Sequence, residues 1–422
     1  MIKLATNSIT MQDVRCKIQN VKNIFLILTF TICNLHFAIF STQAYSQEAQ
    51  LPSASTPPAV RIGVILPLSG KYSQFGEQAL KGVLLASDVF DLALKKNEGL
   101  NIEVVVRDTR DDPIASEKAV EELVNEVGVV AIIGPLLSVT ATETVKKAQE
   151  VSVPLIALSQ KIGVTGTGDY IFRNFLLPSE QTKAIASYAI DKLKYKKFAI
   201  LYPSSPYGIE LANLFKEEVK KGKGEILAEE QYREGQTYFG DEIVRLFKIK
   251  ETEKKEGRRR IKTYERAVTV DALYIPDYFD TIGLIVPHLA YYNVKDVKLL
   301  GSNGWNSPKL IELAGKYVEG AIVVDGFFAG SRRENTIQFV YSFKNIYGAE
   351  PDILAAQAYD ATKMIVEAII GGFKERNEIR DRLASLKDFP GATGTIAFDK
   401  NRETAKGLFI LTVKDGKIVE IE

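Results

Sequence analysis

The chain has 422 residues, 46% of them apolar and 25% charged, and a formal net charge of +1. That even balance carries no electrostatic footprint for nucleic acid, so no nucleic-acid partner is expected. Its two cysteines, Cys16 and Cys33, both lie near the N-terminus, which excludes a disulfide framework or a cysteine metal site in the body of the protein.

The N-terminus has the pattern of an export signal. Lys3, Arg15, Lys17 and Lys22 precede an apolar run from Ile24 to Phe40, and Ser41 to Ala44 supplies small residues for cleavage. The run is short for a spanning helix, and Asn34 and His36 interrupt it. Ile32 before Cys33 argues against lipid attachment there. Removing residues 1–46 takes away four cations and one anion and leaves a cysteine-free chain of net charge −2, suited to an oxidising compartment. Residues 47–59, rich in Ser, Pro, Ala and Gln, read as a disordered tether.

From Val60 onward, short β-branched runs alternate with amphipathic stretches. Ile62–Leu66 is a buried-strand pattern closed by Pro67 and Ser69-Gly70, and a helix is expected over Glu77–Leu94. A strand over Ile102–Val106 leads through a turn at Asp108–Pro113 to a helix over Ile114–Asn125. Strands at Val129–Ile133 and Val153–Leu158 bracket a helix over Val139–Glu150. The rhythm restarts after Pro178 with a helix over Glu180–Leu193, a strand over Phe198–Tyr202 and a helix over Gly208–Lys221. Further strands are expected at Gly224–Ala228, Ala272–Ile275 and Val297–Leu300. Strands alternating with helices of this length imply parallel sheets with right-handed crossovers. One segment stands apart: Lys248–Lys262 holds eight cations, three anions and no buried-face pattern. It reads as a solvated helix extension or loop, with a partner- or lipid-binding loop as the functional alternative.

Catalytic constellations are missing. The two histidines are His36, within the export signal, and His288, which follows Pro287 in an apolar helical stretch and reads as a packed or surface residue. One histidine without cysteines makes no zinc site. No G-x-S-x-G elbow occurs. The stretch Gly63–Lys71 fails as a phosphate loop, because six residues separate Gly63 from Gly70 and Tyr72 stands where Ser or Thr is required. No metal, no cofactor and no enzymatic activity are expected, and a binding role is favoured.

A series of motifs in order resembles a known family. IGVILPLSGKYSQFGEQALKG (62–82), RDTRDDP (107–113), AIIGPLLSVTA (131–141) and VPLIALS (153–159) are similar to the first half of leucine/isoleucine/valine-binding-protein-like, type I periplasmic solute-binding proteins. YIFRNFLLPSEQ (170–181), FAILYPSSPYG (198–208), DALYIPDY (271–278), LLGSNGW (299–305), QAYDA (357–361) and GATGTIAFD (391–399) continue the series. The resemblance implies an α/β fold of two doubly wound lobes with parallel sheets, joined by a three-strand hinge. Lobe I would comprise 60–177 and 327–388, and lobe II 178–326 and 389–422. It further implies an exported periplasmic protein closing on a small polar ligand, an amino acid or related carboxylate or amide, for uptake through an inner-membrane ABC permease or for sensing.

Carried over residue by residue, the resemblance places Ser138 on a ligand carboxylate at a helix N-terminus, where backbone amides suit an anion. Ser159 and Lys161 fall in the second carboxylate loop, Tyr207 and Tyr278 match aromatics covering the ligand, and Phe75 an aromatic of the first loop. Two positions depart from the amino-acid binders: Asn303 stands where a carboxylate meets the α-ammonium, and Lys161 replaces a small hydroxyl residue. Asp277 is an alternative anion whose strand parity stays open. The same phrases are also similar to outer-membrane lipoprotein activators of penicillin-binding proteins, which implies, as the alternative, a scaffold for a cell-wall synthase.

Overall fold

The computed structural model describes residues 59–87, 101–256 and 259–421. The expected export signal, most of the tether and the end of the first expected helix lie outside the described residues. Two sheets, each covered by helices on both faces, account for most of the described residues.

The first sheet has the order β2-β1-β3-β4-β5, with β1 at Ala59–Leu66, β2 at Asn101–Asp108, β3 at Ala131–Ile133, β4 at Leu155–Ala157 and β5 at Ile171–Arg173. All its pairings are parallel; Ile62 pairs with both Val104 and Ala131. Alternation along the strands supplies both layers of core, as period-two side-chain direction requires. Ile62, Val64, Ile133 and Ile156 face the helices Ser73–Ala86 and Ile353–Ile370, while Ile65, Ile132, Leu155 and Ala157 face Pro113–Glu121 and Ser138–Glu150. The Ser73–Ala86 and Ile353–Ile370 helices approach so closely that a Cβ on Gly82 would sit 2.0 Å from the Ala355 carbonyl oxygen.

The second sheet is built from β6 (Lys197–Pro203), β7 (Glu225–Tyr232), β10 (Ala272–Ile275), β11 (Lys298–Gly301) and β12 (Ile322–Asp325), in parallel. An antiparallel pair, β16 (Phe409–Lys414) and β17 (Lys417–Glu420), extends it beyond β12. Leu273 and Ile275 face the Phe279–Tyr291 helix, and Ala272 and Tyr274 face the Pro206–Lys221 helix. Pro287 lies inside the Phe279–Tyr291 helix. His288 is packed there: its Nδ1 lies 2.8 Å from the Leu284 carbonyl and its ring sits edge-on to Tyr238.

The chain passes between the sheets three times: after Arg173, after Asp325 and after Lys406. Arg333 ties the second passage to the third, donating to the carbonyls of Gly407 (2.9 Å) and Leu408 (3.2 Å) with its guanidinium over the Phe409 ring. A small antiparallel sheet, β13 (Phe389–Gly391), β14 (Gly394–Phe398) and β15 (Thr404–Lys406), precedes the third passage. Its Phe389, Ile396 and Phe398 pack in the core of the first sheet. The final return to the second sheet therefore falls between Lys406 and Phe409, later than the boundary at 388/389 read from the sequence.

The basic segment differs from its expected helix extension or loop. It forms an antiparallel hairpin of β8 (Ile249–Glu256) and β9 (Arg259–Arg266). Threonines and opposite charges paired across strands support a polar ribbon of this kind: Thr252 bonds Thr263 at 2.6 Å, Glu251 meets Lys262 at 2.6 Å, and Glu253 meets Arg260 at 3.4 Å.

Candidate functional site

In a parallel sheet, loops at the carboxyl ends of the strands collect the functional side chains. The first sheet places Pro67–Phe75 after β1, Ser138 after β3 and Ser159–Lys161 after β4 on one such edge. Ser138 opens its helix, whose N-cap is Leu137 and carries no side-chain cap. Ser159 is fully buried, and its Oγ accepts from the Lys161 N–H at 3.2 Å, closing the turn. Lys161 is exposed and makes no ion pair among the described residues. Phe75 is half exposed and stacks on Tyr72, with a centroid separation of 6.2 Å.

A side chain that sequence reasoning passed over fixes this loop. Arg173, at the end of β5, is buried; its Nε donates to Glu403 at 2.6 Å and its Nη1 to the Lys161 carbonyl at 2.5 Å. Thr165 adds a bond to the same Glu403 at 2.8 Å. The Lys161 loop is thus held to the segment leading into the third passage. The only sequence signal was a charged residue inside the apolar phrase YIFRNF.

The second sheet assembles Tyr207 after β6, Asp277 and Tyr278 after β10, Ser302 and Asn303 after β11, and Asp325 at the end of β12. Tyr207 donates its hydroxyl to Asn303 Oδ1 at 2.9 Å, and its ring stacks on Tyr278 at 5.4 Å. The Asn303 N–H donates to Gln181 Oε1 at 3.1 Å. Burial pushes the Tyr207 phenol far above its usual value, so it remains a proton donor. Tyr278 is half exposed, leaving one face of the stacked pair open.

Asp277 shares the parity of Leu273 and Ile275, and so turns towards the Phe279–Tyr291 side of the sheet. There Tyr232 donates to it at 2.5 Å and the Tyr278 N–H at 2.8 Å. Burial raises its pKa. Both carboxylate oxygens of Asp277 thus accept hydrogen bonds from within the second sheet's own elements. Asp325, also missed by sequence reading, is buried and accepts from Asn306 Nδ2 at 2.7 Å and the Gly326 N–H at 2.6 Å. Burial lifts its carboxyl to about 7. Its position at a strand end before Gly326 was the available signal.

The structure thus brings Tyr207, Tyr278 and Asn303 into one cluster, and Ser159 and Lys161 into one turn. Phe75 stands with Tyr72, and among the described residues no side-chain hydrogen bond joins Ser138 to the other candidates. No hydrogen bond or ring contact joins the two groups among the described residues. Among the same residues, no group of three or more His, Cys, Asp or Glu is placed to hold a metal ion, and no helix is long and apolar enough to cross a membrane.

Comparison with known proteins agrees with this architecture. A family model described as periplasmic binding protein matches residues 59–417. Leu/Ile/Val-binding protein homolog 3 of Brucella melitensis is 22% identical over 398 residues, covering 92% of this chain and all of that protein. A solved protein from Rhodospirillum rubrum superposes with a TM-score of 0.77 at 23% identity, over 86% of this chain and all of its own. The branched-chain amino acid transporter substrate-binding protein of Streptococcus pneumoniae, solved with isoleucine, gives a TM-score of 0.63 at 28% identity, over 86% of this chain and all of its own.

Proposed function

The chain belongs to the periplasmic binding protein family, a family of non-enzymatic solute binders, and we propose that it captures a small carboxylate- or amide-bearing solute lacking a free ammonium group. The two sheets would close on this solute, since only the closed arrangement offers both sets of contacts at once. The closed form would be handed to an ABC-type permease of the inner membrane, a reading supported by the likeness to the transporter substrate-binding protein of Streptococcus pneumoniae. Export would remove the signal and leave a secreted chain that begins between about residues 42 and 48.

The observation that carries the ligand class is the charge of the Tyr207 cluster. Where an α-ammonium would lie, Asn303 offers a neutral amide already bonded to Tyr207, and Asp277 is turned inward onto Tyr232. An ammonium buried without a countercharge costs several kcal/mol. On the other edge, Lys161 is unpaired and supplies a charge-assisted bond to an anion.

The test is calorimetry and thermal shift on the purified protein with succinate, succinamate and leucine. Succinate or succinamate should raise the melting temperature, whereas leucine at the same concentration should not. Lys161→Ala should weaken succinate roughly tenfold or more while leaving the unliganded melting temperature unchanged. Micromolar leucine binding would overturn the ligand class. Binding of none of these solutes, with capture of a cell-wall synthase lost when Arg258, Arg259 and Arg260 are neutralised, would favour the scaffold reading instead.

A further inference from the structure

The opposite edge of the second sheet, where its strands begin, carries a groove of about 1180 Å³ unrelated to the Tyr207 cluster. Its floor is formed where β10, β11 and β12 start, at Asp271, Lys298 and Gly320. The four-residue strands, about 13 Å long, lie between it and the loops that carry Tyr278 and Asn303. One wall belongs to the hairpin: Arg266, the last residue of β9, lines the groove, and its Nη1 is buried without a hydrogen-bond partner. An orphaned guanidinium N–H is rare in a folded chain and calls for an acceptor.

The surroundings indicate the acceptor's chemistry. Lys295, Lys298 and Lys316 join Arg266 along the groove. Three acids line the groove: Asp271 is engaged by the N–H groups of Lys196 and Lys197, both at 2.8 Å, Glu319 by those of Asp415 and Gly416 at 2.8 and 3.3 Å, and Asp296 stands against four cations. Among the described residues none of the three bonds to Arg266. Tyr291 and Tyr317 add exposed rings, and Tyr291 is braced by Tyr264, whose hydroxyl lies 3.1 Å from its own and which precedes Arg266 by two residues on the same strand face. Cations with a planar fork beside open aromatic faces suit a carboxylate-bearing chain. The volume exceeds what a single small ligand fills, which favours an extended occupant.

We propose that this groove is a second binding site, for an extended acidic peptide segment whose carboxylate takes the free N–H of Arg266. The basic hairpin, left unexplained by solute capture, then has the task of presenting that guanidinium.

Calorimetry with acetylated, amidated tetraglutamate tests the proposal, with tetralysine as control. The wild-type protein should bind tetraglutamate and not tetralysine. Arg266→Gln should weaken tetraglutamate roughly tenfold or more, Arg266→Lys less, and Lys316→Gln, at an exposed position, about two- to threefold. Succinate binding and the melting temperature of Lys316→Gln should match the wild type, which separates failure here from failure of the solute reading. No tetraglutamate binding up to millimolar concentration, or equal affinity in Arg266→Gln, would overturn the proposal. So would Arg266-dependent binding of inorganic phosphate in the absence of tetraglutamate binding.

Discussion

Replacing Asp325 with Asn isolates the cost of burying one carboxyl at the mouth of the second passage. Burial lifts this group from 3.8 to about 7, with the bonds from Asn306 and the Gly326 N–H only partly offsetting the lost hydration. A raised folded pKa means the native state holds a proton that the unfolded chain has released. The stabilisation from that proton is complete below about pH 4 and is lost as pH rises through about 7. About three pH units at 1.36 kcal/mol each give roughly 4 kcal/mol. Asn carries no titrating proton, so the difference in unfolding free energy between Asp325→Asn and wild type should move by about 4 kcal/mol in favour of the variant between pH 4 and pH 8. Any clash of the new amide with Asn306 is independent of pH and shifts the whole curve without changing its slope. Urea unfolding at four pH values across this window is the assay. A difference constant to within about 1 kcal/mol would refute the argument that Asp325 is buried and protonated near neutrality.

Two further changes probe the frame around the site. Gly82→Ala places a methyl 2.0 Å from the Ala355 carbonyl, a backbone atom that no rotamer change can move. The helices must part, so the variant should lose about 1–3 kcal/mol in urea unfolding, against the gain Ala brings to an exposed helix position. Arg173→Met removes the cationic partner of Glu403, leaving its carboxylate with the Thr165 hydroxyl alone among side-chain donors, and leaves the Lys161 carbonyl without the Arg173 donor. A loss of about 3–5 kcal/mol is expected, with part recovered in the Arg173→Met, Glu403→Gln double variant.

The order of strands and helices was legible in the sequence because both lobes use local signals: β-branched runs long enough to be buried on both faces, and amphipathic stretches long enough to cross over them. Ile62–Leu66 and Ala272–Ile275 lie within strands of the two sheets, and the helix read over Val139–Glu150 begins only one residue earlier. The hairpin at 249–266 escaped because its stability comes from cross-strand pairs such as Thr252–Thr263 and Glu251–Lys262, which link residues eleven apart. No hydrophobic period marks such a ribbon.

What tertiary structure alone decided was the direction and company of polar side chains. The sequence places Asp277 next to Tyr278, but only the pleat of β10 and the hydroxyl of Tyr232 show that its carboxylate faces inward. Arg173 and Glu403 are 230 residues apart and meet at 2.6 Å because the chain leaves the first sheet after Arg173 and comes back to it after Asp325. Phe389, Ile396 and Phe398 join the first core although they lie just before the return to the second. A sequence determines where apolar surface must be buried, because burial follows from periodicity. It leaves open which polar groups meet across long loops, because that depends on the sheets those loops connect.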